Sequence, residues 1–595
     1  MKKFLTNFFI KFKSQKKGLI NDVKEHFSWE KDLIKKLGVK DGFKIPNFHQ
    51  LRYLPSVLTR KEKKKFTIFG LFFIICLSLL LSRLYSRLPL APSFGGEYTE
   101  GLIGEITIIN PLFNLQNETE QDLVKIIFSG LIKWKDNQLT PDLAEKWEIK
   151  NNGQKYIFYL KKNVWWQDKK PFNADDVIFS VESIQNNKIK SPLKETFSHV
   201  KIKKIDDYTI EFNLEKSFSP FLSYLTFGIL PKHLWQNVQV ENFQTDALNF
   251  SPIGTGPFKF DSLDYAGTNQ IKKITLARNE KYYSHFPYLK KINFRIFTNY
   301  DEAADALLTK KIEGLAHYRK IDELETVPKV FNSYKNPLSY HAIVFFDELG
   351  LLGNKKIREA LAYAIDRKEI INQLENTTLA ETAIVDPNYQ AEKNIKKYEY
   401  SIENAEKSLK DAGYKKSESW FSDKKGNNLT IKFIVSDKLA NQKVGELLKN
   451  FWEKIGIKIN LKVLASADFQ KTLIENDYDA VLNTIIEGYD PDPFPLWHST
   501  QITKGLNFSS FKDIQIDSLL EKARLSANII ERKKYYEDFQ KIMAEDLPAI
   551  FLYQTILSYF QDKKIKGFEG GYLPTPSDRF SQIEDWYIYS KRTLF

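Results

Sequence analysis

Two aspartates lie two residues apart in a stretch stiffened by proline, Asp490-Pro491-Asp492-Pro493. Such a pair can act as general acid and base, bind a metal ion, or hold an ammonium group. It can also cap turns, because aspartate side chains accept hydrogen bonds from nearby backbone N–H groups. The spacing does not exclude glycoside hydrolysis, which uses two carboxyl groups about 5 to 9 Å apart. The residue types alone therefore leave these roles open.

Catalysis is nevertheless disfavoured, because the rest of the sequence offers no catalytic partner. The eight histidines contain no His-Glu-x-x-His pattern, and the chain has neither a Gly-x-Ser-x-Gly elbow nor a glycine-rich phosphate loop. Its single cysteine, Cys76, excludes an intramolecular disulfide and a zinc site built on paired thiolates. We therefore expect no catalytic residues, no metal site and no cofactor.

The elements before this pair predict how it is positioned. Apolar residues alternate over 429–435, recur at helical spacing over 444–455 and alternate again over 457–463. A further helix over 468–475 and an apolar strand over 479–485 complete a β-α-β-α-β order. Ligands bind beyond the carboxyl ends of parallel strands in such units, and residues 487–497 follow the last strand directly. The loop is thus a candidate ligand-facing segment.

Two other regions also read as mixed α and β structure. Residues 290–316 predict a strand, a helix that Asp301 can cap, and a second apolar stretch. Residues 139–227 contain shorter strands, at 155–160 and 208–214, around a helix at 174–186, which is typical of an α+β arrangement. Gly254 and Gly256 are expected to supply tight turn geometry.

Composition places the bulk of the chain among folded globular proteins. With 595 residues, 42% hydrophobic and 27% charged, the sequence is long enough for three or four domains and is not disordered as a whole. Residues 1–65 hold 18 Lys+Arg and 6 Asp+Glu, so this short tail carries almost all of the net charge of +13. The nearly neutral remainder argues against a nucleic-acid-binding surface, and we expect no nucleic-acid partner.

Residues 66–82 form one uncharged apolar run, FTIFGLFFIICLSLLLS, with lysines before it and Arg83 after it. Seventeen residues suffice for a short membrane-spanning helix. Six Lys and Arg lie in residues 51–65 and two in residues 83–97, so the positive-inside rule predicts a cytoplasmic N terminus. We expect an uncleaved signal anchor that crosses the cytoplasmic membrane once, with the large C-terminal part in the periplasm or at the cell surface.

Sequence segments between about residue 95 and residue 567 resemble the family 5 extracellular solute-binding proteins, the peptide-binding components of ABC importers. The matching segments follow the family order: residues 139–147 (LTPDLAEKW), 156–160 (YIFYL), 164–166 (VWW), 172–177 (FNADDV), 252–258 (PIGTGPF), 278–283 (RNEKYY), 357–367 (IREALAYAIDR), 405–414 (AEKSLKDAGY), 455–458 (IGIK), 478–480 (YDA) and 548–553 (PAIFLY).

This resemblance implies an α/β fold of two lobes, like the class II (cluster C) periplasmic binding proteins, with an inserted α+β subdomain and one preceding transmembrane helix. It implies that the lobes close over an extended peptide without chemistry, and that an ABC permease and its ATPase are partners. The expected boundaries are a basic tail at 1–65, the anchor at 66–82, lobe I at 90–112, 227–332 and 556–595, the insertion at 113–226 and lobe II at 333–555.

In peptide-binding relatives, an aspartate in the loop after the last strand pairs with the amino terminus of the peptide. Here Gly488 or Tyr489 stands where that aspartate usually lies, so Asp490 and Glu487 are the alternative anchors. The expected ligand contacts are Asn110, Trp166, Ile485, Ile486, Glu487, Gly488, Tyr489, Asp490, Asp492 and Trp497. Three other functions stay open: a sensor or adhesion protein, binding of a non-peptide solute such as an oligosaccharide, and a cell-surface hydrolase.

Overall fold

The computed structural model describes residues 59–113, 117–267, 270–316, 330–374, 376–391, 395–503 and 505–593. The predicted cytoplasmic tail falls almost entirely outside these residues. The chain divides into two compact units, of which the second comprises Pro92–Lys591.

The first unit contains the helix Arg60–Arg87, which includes the whole predicted apolar run at 66–82. Its stretch Lys63–Arg87 is the one helix among the described residues that is long and apolar enough to cross a membrane, and its most apolar part is not buried in the structure. Side chains such as Ile68 and Leu79 are each 65% exposed. Exposure of a contiguous apolar surface of this kind to water is unfavourable, and such surfaces are typical of segments that contact a membrane or another protein.

The helices and strands of the described residues have the following bounds. The α-helices are Arg60–Arg87, Glu118–Ile127, Ala174–Gln185, Lys194–Phe197, Phe221–Tyr224, Lys232–Trp235, Tyr300–Leu308, Lys355–Tyr363, Arg367–Gln373, Ile402–Asp411, Leu439–Lys454, Ser466–Glu475, Phe494–Trp497, Ile514–Leu525 and Ile529–Asp546. The strands are Leu90–Ser93, Glu97–Ile103, Ile132–Lys135, Gln138–Pro141, Ala144–Lys150, Lys155–Leu160, Val200–Asp206, Thr209–Leu214, Phe258–Ala266, Gln270–Arg278, Lys291–Phe297, Gly314–Ala316, Phe331–Phe346, Thr377–Leu379, Lys415–Ser417, Trp420–Ser422, Thr430–Ser436, Lys458–Leu464, Ala480–Ile486, Ala549–Asp562 and Tyr589–Arg592. Short 3₁₀ turns lie at Asn151–Gly153, Val240–Asn242, Ala247–Asn249, Leu351–Gly353, Ser499–Gln501, Pro576–Phe580 and Ile583–Asp585.

One mixed sheet of eleven strands runs through both lobes of the second unit. Two long antiparallel strands at its centre, Phe331–Phe346 and Ala549–Asp562, belong to both lobes, and we call them the crossing strands. The first part of Phe331–Phe346, up to Pro337, pairs with the last part of Ala549–Asp562, from Ile556 onward, and this part of the ladder lies on the lobe I side. The two-lobed α/β fold with connecting strands is therefore confirmed.

Lobe II contains the predicted β-α-β-α-β unit. Its strands Thr430–Ser436, Lys458–Leu464 and Ala480–Ile486 pair in parallel, and the last one also pairs antiparallel with the first crossing strand. Successive side chains of a strand point to opposite faces of the sheet. Val344 packs into one apolar cluster and its neighbour Phe345 into another, so both faces of this sheet are covered. The sheet is thus fixed on two sides, which is typical of a parallel α/β lobe.

In lobe I, the strands Glu97–Ile103 and Lys291–Phe297 are parallel neighbours, and a β-hairpin extends the sheet beyond them. The helix Tyr300–Leu308 begins at Asn299, whose side chain accepts a hydrogen bond from Glu302 N (3.0 Å). Asn299, rather than the predicted Asp301, is thus the cap, and the helix starts two residues earlier than a cap at Asp301 would place it.

Gly254 and Gly256 have a role different from the predicted turn. A Cβ on Gly254 would collide with the carbonyl oxygen of Ile127, and one on Gly256 would collide with that of Ile126. Neither glycine has a positive φ. Both positions therefore need glycine because two backbone segments touch there, and not because the chain turns.

The insertion in lobe I has the predicted α+β character. Four antiparallel strands, in the order Ala144–Lys150, Lys155–Leu160, Thr209–Leu214 and Val200–Asp206, form a separate sheet. The helix Ala174–Gln185 lies beside it and begins with a capping box at Asn173. Its core is continuous with that of lobe I, so the insertion is a part of this lobe and not an independent body.

Candidate functional site

The acidic loop, which we define as residues 487–493, leaves the sheet where the crossing strands change register. Its preceding strand, Ala480–Ile486, pairs with the first crossing strand up to its end. The register of the two crossing strands breaks between Pro337 and His341, in the middle of the sheet. The loop therefore starts at the boundary between the lobes, which is where a hinged pair of lobes encloses a ligand.

Ser339, inside this register break, holds the start of the loop. Its carbonyl accepts a hydrogen bond from Glu487 N (3.1 Å), and its hydroxyl accepts one from Gly488 N (3.0 Å). The hydroxyl also donates to the carbonyl of Pro574 (2.6 Å), in the C-terminal segment of lobe I. The loop, the crossing strand and the C-terminal segment thus meet at one side chain.

Asp490 is committed to an ion pair within the protein. Its carboxylate accepts hydrogen bonds from both Nη1 (2.5 Å) and Nη2 of Arg532, a residue that is 3% exposed. The rings of Tyr389 and Tyr536 lie 5.2 and 5.1 Å from the guanidinium carbon. A buried guanidinium needs such a partner, so Asp490 balances this charge and anchors the loop to the helix Ile529–Asp546.

Asp492 makes a second pair of the same kind. Arg524 donates to it from Nε (3.0 Å) and from Nη2 (2.5 Å), and its guanidinium lies 3.8 Å from the ring centre of Phe494. The backbone N–H of Phe494 also donates weakly to the Asp492 carboxylate (3.4 Å). Both aspartates of the loop are therefore engaged in fixing it, and neither carboxylate is left without a cation.

Glu487 is the loop carboxyl group for which the described residues supply no such cation. Its Oε1 accepts a hydrogen bond from Val385 N (2.9 Å), and its Oε2 accepts one from Asp386 N (3.2 Å). Burial raises the pKa of Glu487 to about 8 because it outweighs these two hydrogen bonds, and the nearby charge of Asp386 adds to the rise. Half or more of the Glu487 side chains are thus protonated at neutral pH.

Asp386 is the second acid at this place. It is 1% exposed, and its Oδ1 accepts a hydrogen bond from Asn388 N (2.7 Å). Burial raises the pKa of Asp386 to about 6, although Arg532 acts in the opposite direction. Two neighbouring carboxyl groups with raised pKa values mark a place where an added cation would be stabilised.

Tyr572 faces these two acids from the other lobe. It lies in the C-terminal segment and is 9% exposed, and its hydroxyl has no hydrogen-bond partner among the described residues. Burial raises the pKa of Tyr572, and the charges of Asp386, Glu487 and Asp578 raise it further. A buried hydroxyl normally has a hydrogen-bond partner, so this group is available to bond water or a ligand group.

Tyr489 connects the acidic loop to lobe I. Its hydroxyl donates to Asp578 Oδ1 (2.7 Å) and accepts from Lys125 Nζ (3.1 Å), while its ring lies 5.7 Å from that of Trp134. Burial opposes the charge of Lys125, but Asp578 and Tyr489 outweigh it and raise the pKa of the amine. Lys125 is therefore charged, and Tyr489 is a polar bridge between the lobes.

Further contacts join the lobes away from the loop. Ser219 N donates to the carbonyl of Arg524 (2.7 Å), and the hydroxyl of Ser217 donates to that of Leu525 (3.0 Å). These two serines belong to the insertion, and the two carbonyls end a helix of lobe II. The structure thus has the lobes in contact on more than one side of the acidic loop.

Three of the ten expected contacts, Ile485, Ile486 and Gly488, lie at the start of the acidic loop or just before it. Ile486 is 57% exposed beside Glu487, whereas Ile485 packs partly against the core of lobe II. Gly488 has a φ of 69°, and a Cβ added there would have no other atom within 4 Å, so its place in the loop depends on backbone conformation and not on crowding.

Trp497, Asn110 and Trp166 are enclosed by protein atoms and present no surface to a ligand in this structure. Trp497 is 1% exposed and stacks 5.2 Å from Phe345 in the lobe II core. Asn110 is fully buried and donates to Asn249 Oδ1 (3.0 Å). Trp166 is 1% exposed and donates to Asp176 Oδ2 (3.2 Å), inside the insertion.

The sequence reasoning did not find Asp386, Tyr572, Asp578 or Lys125. Each lies far along the chain from the loop that it faces, and none stands in a motif that marks it. Arg532 was equally hidden, because only the folded chain shows which of many basic side chains meets Asp490.

No group of three or more His, Cys, Asp and Glu side chains with metal-binding geometry lies within the described parts of the chain. The site therefore consists of two carboxyl groups, a tyrosine hydroxyl and an interlobe bridge. Groups of this kind can bind a cation or an ammonium ion and exclude water on closure, and they include no nucleophile activated by a base.

Residues 138–506 match the family model described as bacterial extracellular solute-binding proteins, family 5 Middle. The chain is 28% identical over 521 residues to the oligopeptide-binding protein AppA of Bacillus subtilis (strain 168), with 84% of this chain and 92% of the relative aligned. It is 27% identical over 481 residues to the heme-binding protein A of Haemophilus influenzae, with 74% of this chain and 84% of the relative aligned.

The solved structure of AppA from Bacillus subtilis in complex with a nonapeptide is similar to the present fold. It superimposes with a TM-score of 0.67 and 25% sequence identity, covering 84% of this chain and all of the other chain. The similarity thus extends over both lobes and the insertion.

Proposed function

We propose a function from one premise, namely that the chain belongs to the bacterial extracellular solute-binding proteins, family 5. The protein captures a peptide between its two lobes and delivers it, unchanged, to the permease of an ABC importer. This family consists of binding proteins and not of enzymes. The relative with a nonapeptide in its solved complex supports a peptide cargo.

The boundaries proposed for the lobes follow the sequence segments. Lobe I takes residues 90–112, 227–332 and 556–595, the insertion takes 113–226, and lobe II takes 333–555. The register break of the crossing strands agrees with the limit between residues 555 and 556, because Ile556 lies on one side of it and Gln554 on the other. In the first crossing strand the break lies between Pro337 and His341, a few residues after the proposed limit at 333.

The location of the ligand is proposed from one observation, namely that Asp386, Glu487 and Tyr572 form a group of polar side chains without a paired cation among the described residues. Two acids with raised pKa values face a hydroxyl without a partner, and no cation of the described chain pairs with Glu487. The amino terminus of a peptide supplies a positive charge and three N–H donors. It would bond both carboxylates and so lower their pKa values.

The amino-terminal anchor is therefore assigned to Glu487 and Asp386, whereas Asp490 and Asp492 position the loop through Arg532 and Arg524. Ile486, Gly488 and Tyr489 line the same place. Backbone pairing of the remaining peptide with the exposed strand ends ignores side chains, so we expect modest sequence specificity.

Closure of the lobes follows ligand entry and depends on Tyr489. Its bonds to Asp578 and Lys125 join lobe II to lobe I and are broken when the cleft opens. A ligand that places its ammonium beside Glu487 removes the cost of the buried acids in the closed form, and so it shifts the equilibrium towards closure.

The helix Arg60–Arg87 is proposed as the anchor of the protein in the cytoplasmic membrane. Its basic N-terminal flank, Arg60 to Lys65, would remain in the cytoplasm, and the lobes would lie outside the membrane. Such a tether keeps the binding lobes at a high local concentration near a permease.

The test is a calorimetric titration of the full-length protein, in detergent micelles, with tetra-alanine and with N-acetyl-tetra-alanine. Saturable binding of the free peptide, with at least about tenfold weaker binding of the acetylated one, is expected, because acetylation removes the charge that the two acids require. Equal binding of both peptides would remove the assigned anchor. Absence of binding to either, together with hydrolysis of the peptide, would overturn the function.

A further inference from the structure

An open groove crosses lobe I on the face of the sheet that is opposite to its core. We call it the basic groove, and its volume is about 510 Å³. Its lining residues come from four strands and one loop: Thr99, Asp264, Lys272, Lys273, Asn293, Arg295 and Lys311. This volume is within the range of sites that hold small molecules.

The floor of the groove is formed by polar side chains on the face of the strand Lys291–Phe297 that is opposite to Phe294. Along the strand Lys291–Phe297, Phe294 points into the core of lobe I and is fully buried, whereas its neighbour Arg295 points to the groove. Asn293, on the groove side, is held by a hydrogen bond from the Thr275 hydroxyl (3.1 Å). The floor is therefore polar and fixed in position.

The lining carries four cations and a single carboxylate. Lys273 Nζ lies 3.7 Å from Asp264, which is a weak exposed pair. Lys272 and Lys311 are exposed, and neither has an ion-pair partner within 4 Å in the part of the chain that the structure describes. The lining side chains thus have an excess of three positive charges, and the nearby carboxylates of Glu97 and Glu313 accept hydrogen bonds from Asn293 (3.4 Å) and from the backbone N–H of Thr99 (3.0 Å).

Two of these cations lie directly opposite each other on neighbouring strands. Lys273 on one strand is the direct partner of Arg295 on the next in the antiparallel register. Like charges at opposing positions destabilise a sheet. The guanidinium of Arg295 is held beside the groove by a hydrogen bond to the carbonyl of Lys311 (3.4 Å). Fold stability does not explain this arrangement, but an anion between the two strands does.

We propose that the basic groove is a second binding site, outside the interlobe cleft, for an anion that bears several phosphate groups. Lysine and arginine are the side chains that bind phosphate oxygens most strongly, and an excess of three charges matches more than one phosphate. The site does not depend on the peptide function. The phosphates can belong to a soluble phosphorylated molecule or to the headgroups of anionic lipids.

The experiment uses the full-length protein in nanodiscs of phosphatidylcholine and a calorimetric titration with tripolyphosphate at low salt. The variant Lys272→Ala/Lys311→Ala removes the two unpaired cations of the groove. The control variant Lys188→Ala/Lys471→Ala removes the same net charge from two exposed side chains elsewhere. We expect affinity to fall at least about tenfold in the groove variant and less than about twofold in the control.

A third variant separates recognition from misfolding. Lys273→Gln relieves the like-charge contact with Arg295, so the melting temperature without ligand is expected to stay constant or to rise, while affinity for tripolyphosphate falls. A variant that merely damaged the fold would lower both quantities.

A second arm identifies the source of the phosphates. Hydrogen exchange is compared between nanodiscs of phosphatidylcholine alone and nanodiscs that contain phosphatidylglycerol. Slower exchange in the strands Gln270–Arg278 and Lys291–Phe297 with phosphatidylglycerol supports lipid headgroups, and slower exchange with tripolyphosphate alone supports a soluble ligand. The proposal is overturned if neither protects these strands, or if the groove variant and the control variant bind tripolyphosphate equally.

Discussion

Peptide affinity should depend on pH through Glu487, because its carboxyl group must lose a proton before it can bind an ammonium ion. With a pKa of about 8 in the ligand-free site, the affinity is expected to fall as pH drops below 8, approaching tenfold, or about 1.4 kcal/mol, for each unit. At pH 8 only about half of the Glu487 side chains are ionised and about half of the peptide amines are charged, so the dissociation constant at pH 6 would be about 25 times that at pH 8. Above pH 8 the affinity falls again, because the amino terminus of the peptide, with a pKa of about 8, loses its own proton.

Calorimetry in buffers of different ionisation enthalpy measures the same effect directly. At pH 7 about nine tenths of the Glu487 side chains are protonated and about one tenth of the peptide amines are uncharged, so binding should release about 0.8 proton per peptide. In Glu487→Gln this release should disappear, and affinity at pH 8 should fall about 10- to 100-fold, since a hydrogen bond between charged groups is lost. The surface variant Glu446→Gln should behave like the wild type, because that carboxylate is exposed and makes one loose pair with Lys449.

A dissociation constant that is the same at pH 6 and pH 8, with no dependence of the heat on the buffer, would refute this reasoning. So would a proton release that persists unchanged in Glu487→Gln. Loss of affinity in Glu446→Gln would show that net charge matters, and not the particular carboxyl group.

Four further outcomes follow from the same contacts. Glu487→Gln should be more stable than the wild type at pH 8, by at least about 1 kcal/mol, and equal to it below pH 4.5, because a raised carboxyl pKa lowers stability as pH rises from 4.5 through 8; chemical denaturation at both pH values measures this. Asp490→Asn should lower the free energy of unfolding by about 3–5 kcal/mol, since it leaves Arg532 buried and unpaired, and Asp490→Asn/Arg532→Met should recover part of the loss. Gly254→Ala should cost about 3 kcal/mol or more by thermal denaturation, because its methyl group would meet the carbonyl of Ile127, whereas Gly426→Ala, which has open space around it but a φ of 86°, should cost only the strain of that conformation, about 1–2 kcal/mol. Tyr489→Phe should speed peptide release by about fivefold in stopped-flow measurements, because it removes the hydroxyl that joins the lobes and keeps the ring; an unchanged release rate would show that this bridge does not control opening.

Elements with a strong local pattern were predicted well from the sequence. The predicted strands at 429–435 and 457–463 and the helix at 468–475 differ from the observed Thr430–Ser436, Lys458–Leu464 and Ser466–Glu475 by no more than two residues at either end. Burial of one face sets the period of each element, so the pattern survives in the sequence.

The pairing of distant strands had no such local signal. The crossing strands Phe331–Phe346 and Ala549–Asp562 are separated by about two hundred residues, and the antiparallel neighbour of Ala480–Ile486 is one of them. The sequence resemblance predicted two lobes with connecting strands, but periodicity alone cannot state which strands continue from one lobe into the other.

The chemistry of the site was predicted only in part, for the same reason. The loop was located by its position after a strand, and Glu487 was one of the two alternative anchors. That Asp490 and Asp492 are paired with arginines, and that Tyr572 faces Glu487, depends on contacts between residues 32 to 85 positions apart in the chain. The pKa of a carboxyl group depends on its burial and on the charges near it, and the local sequence does not determine either of them.

The central claim is that the closed cleft holds a peptide by its charged amino terminus and does not alter it. Native mass spectrometry of the full-length protein, purified in detergent from its own membrane and incubated with tetra-alanine, tests this most directly. We expect a complex heavier than the free protein by one intact tetra-alanine, much reduced in abundance for Glu487→Gln and for N-acetyl-tetra-alanine. A complex of equal abundance with the acetylated peptide, or recovery of shortened peptides, would contradict it.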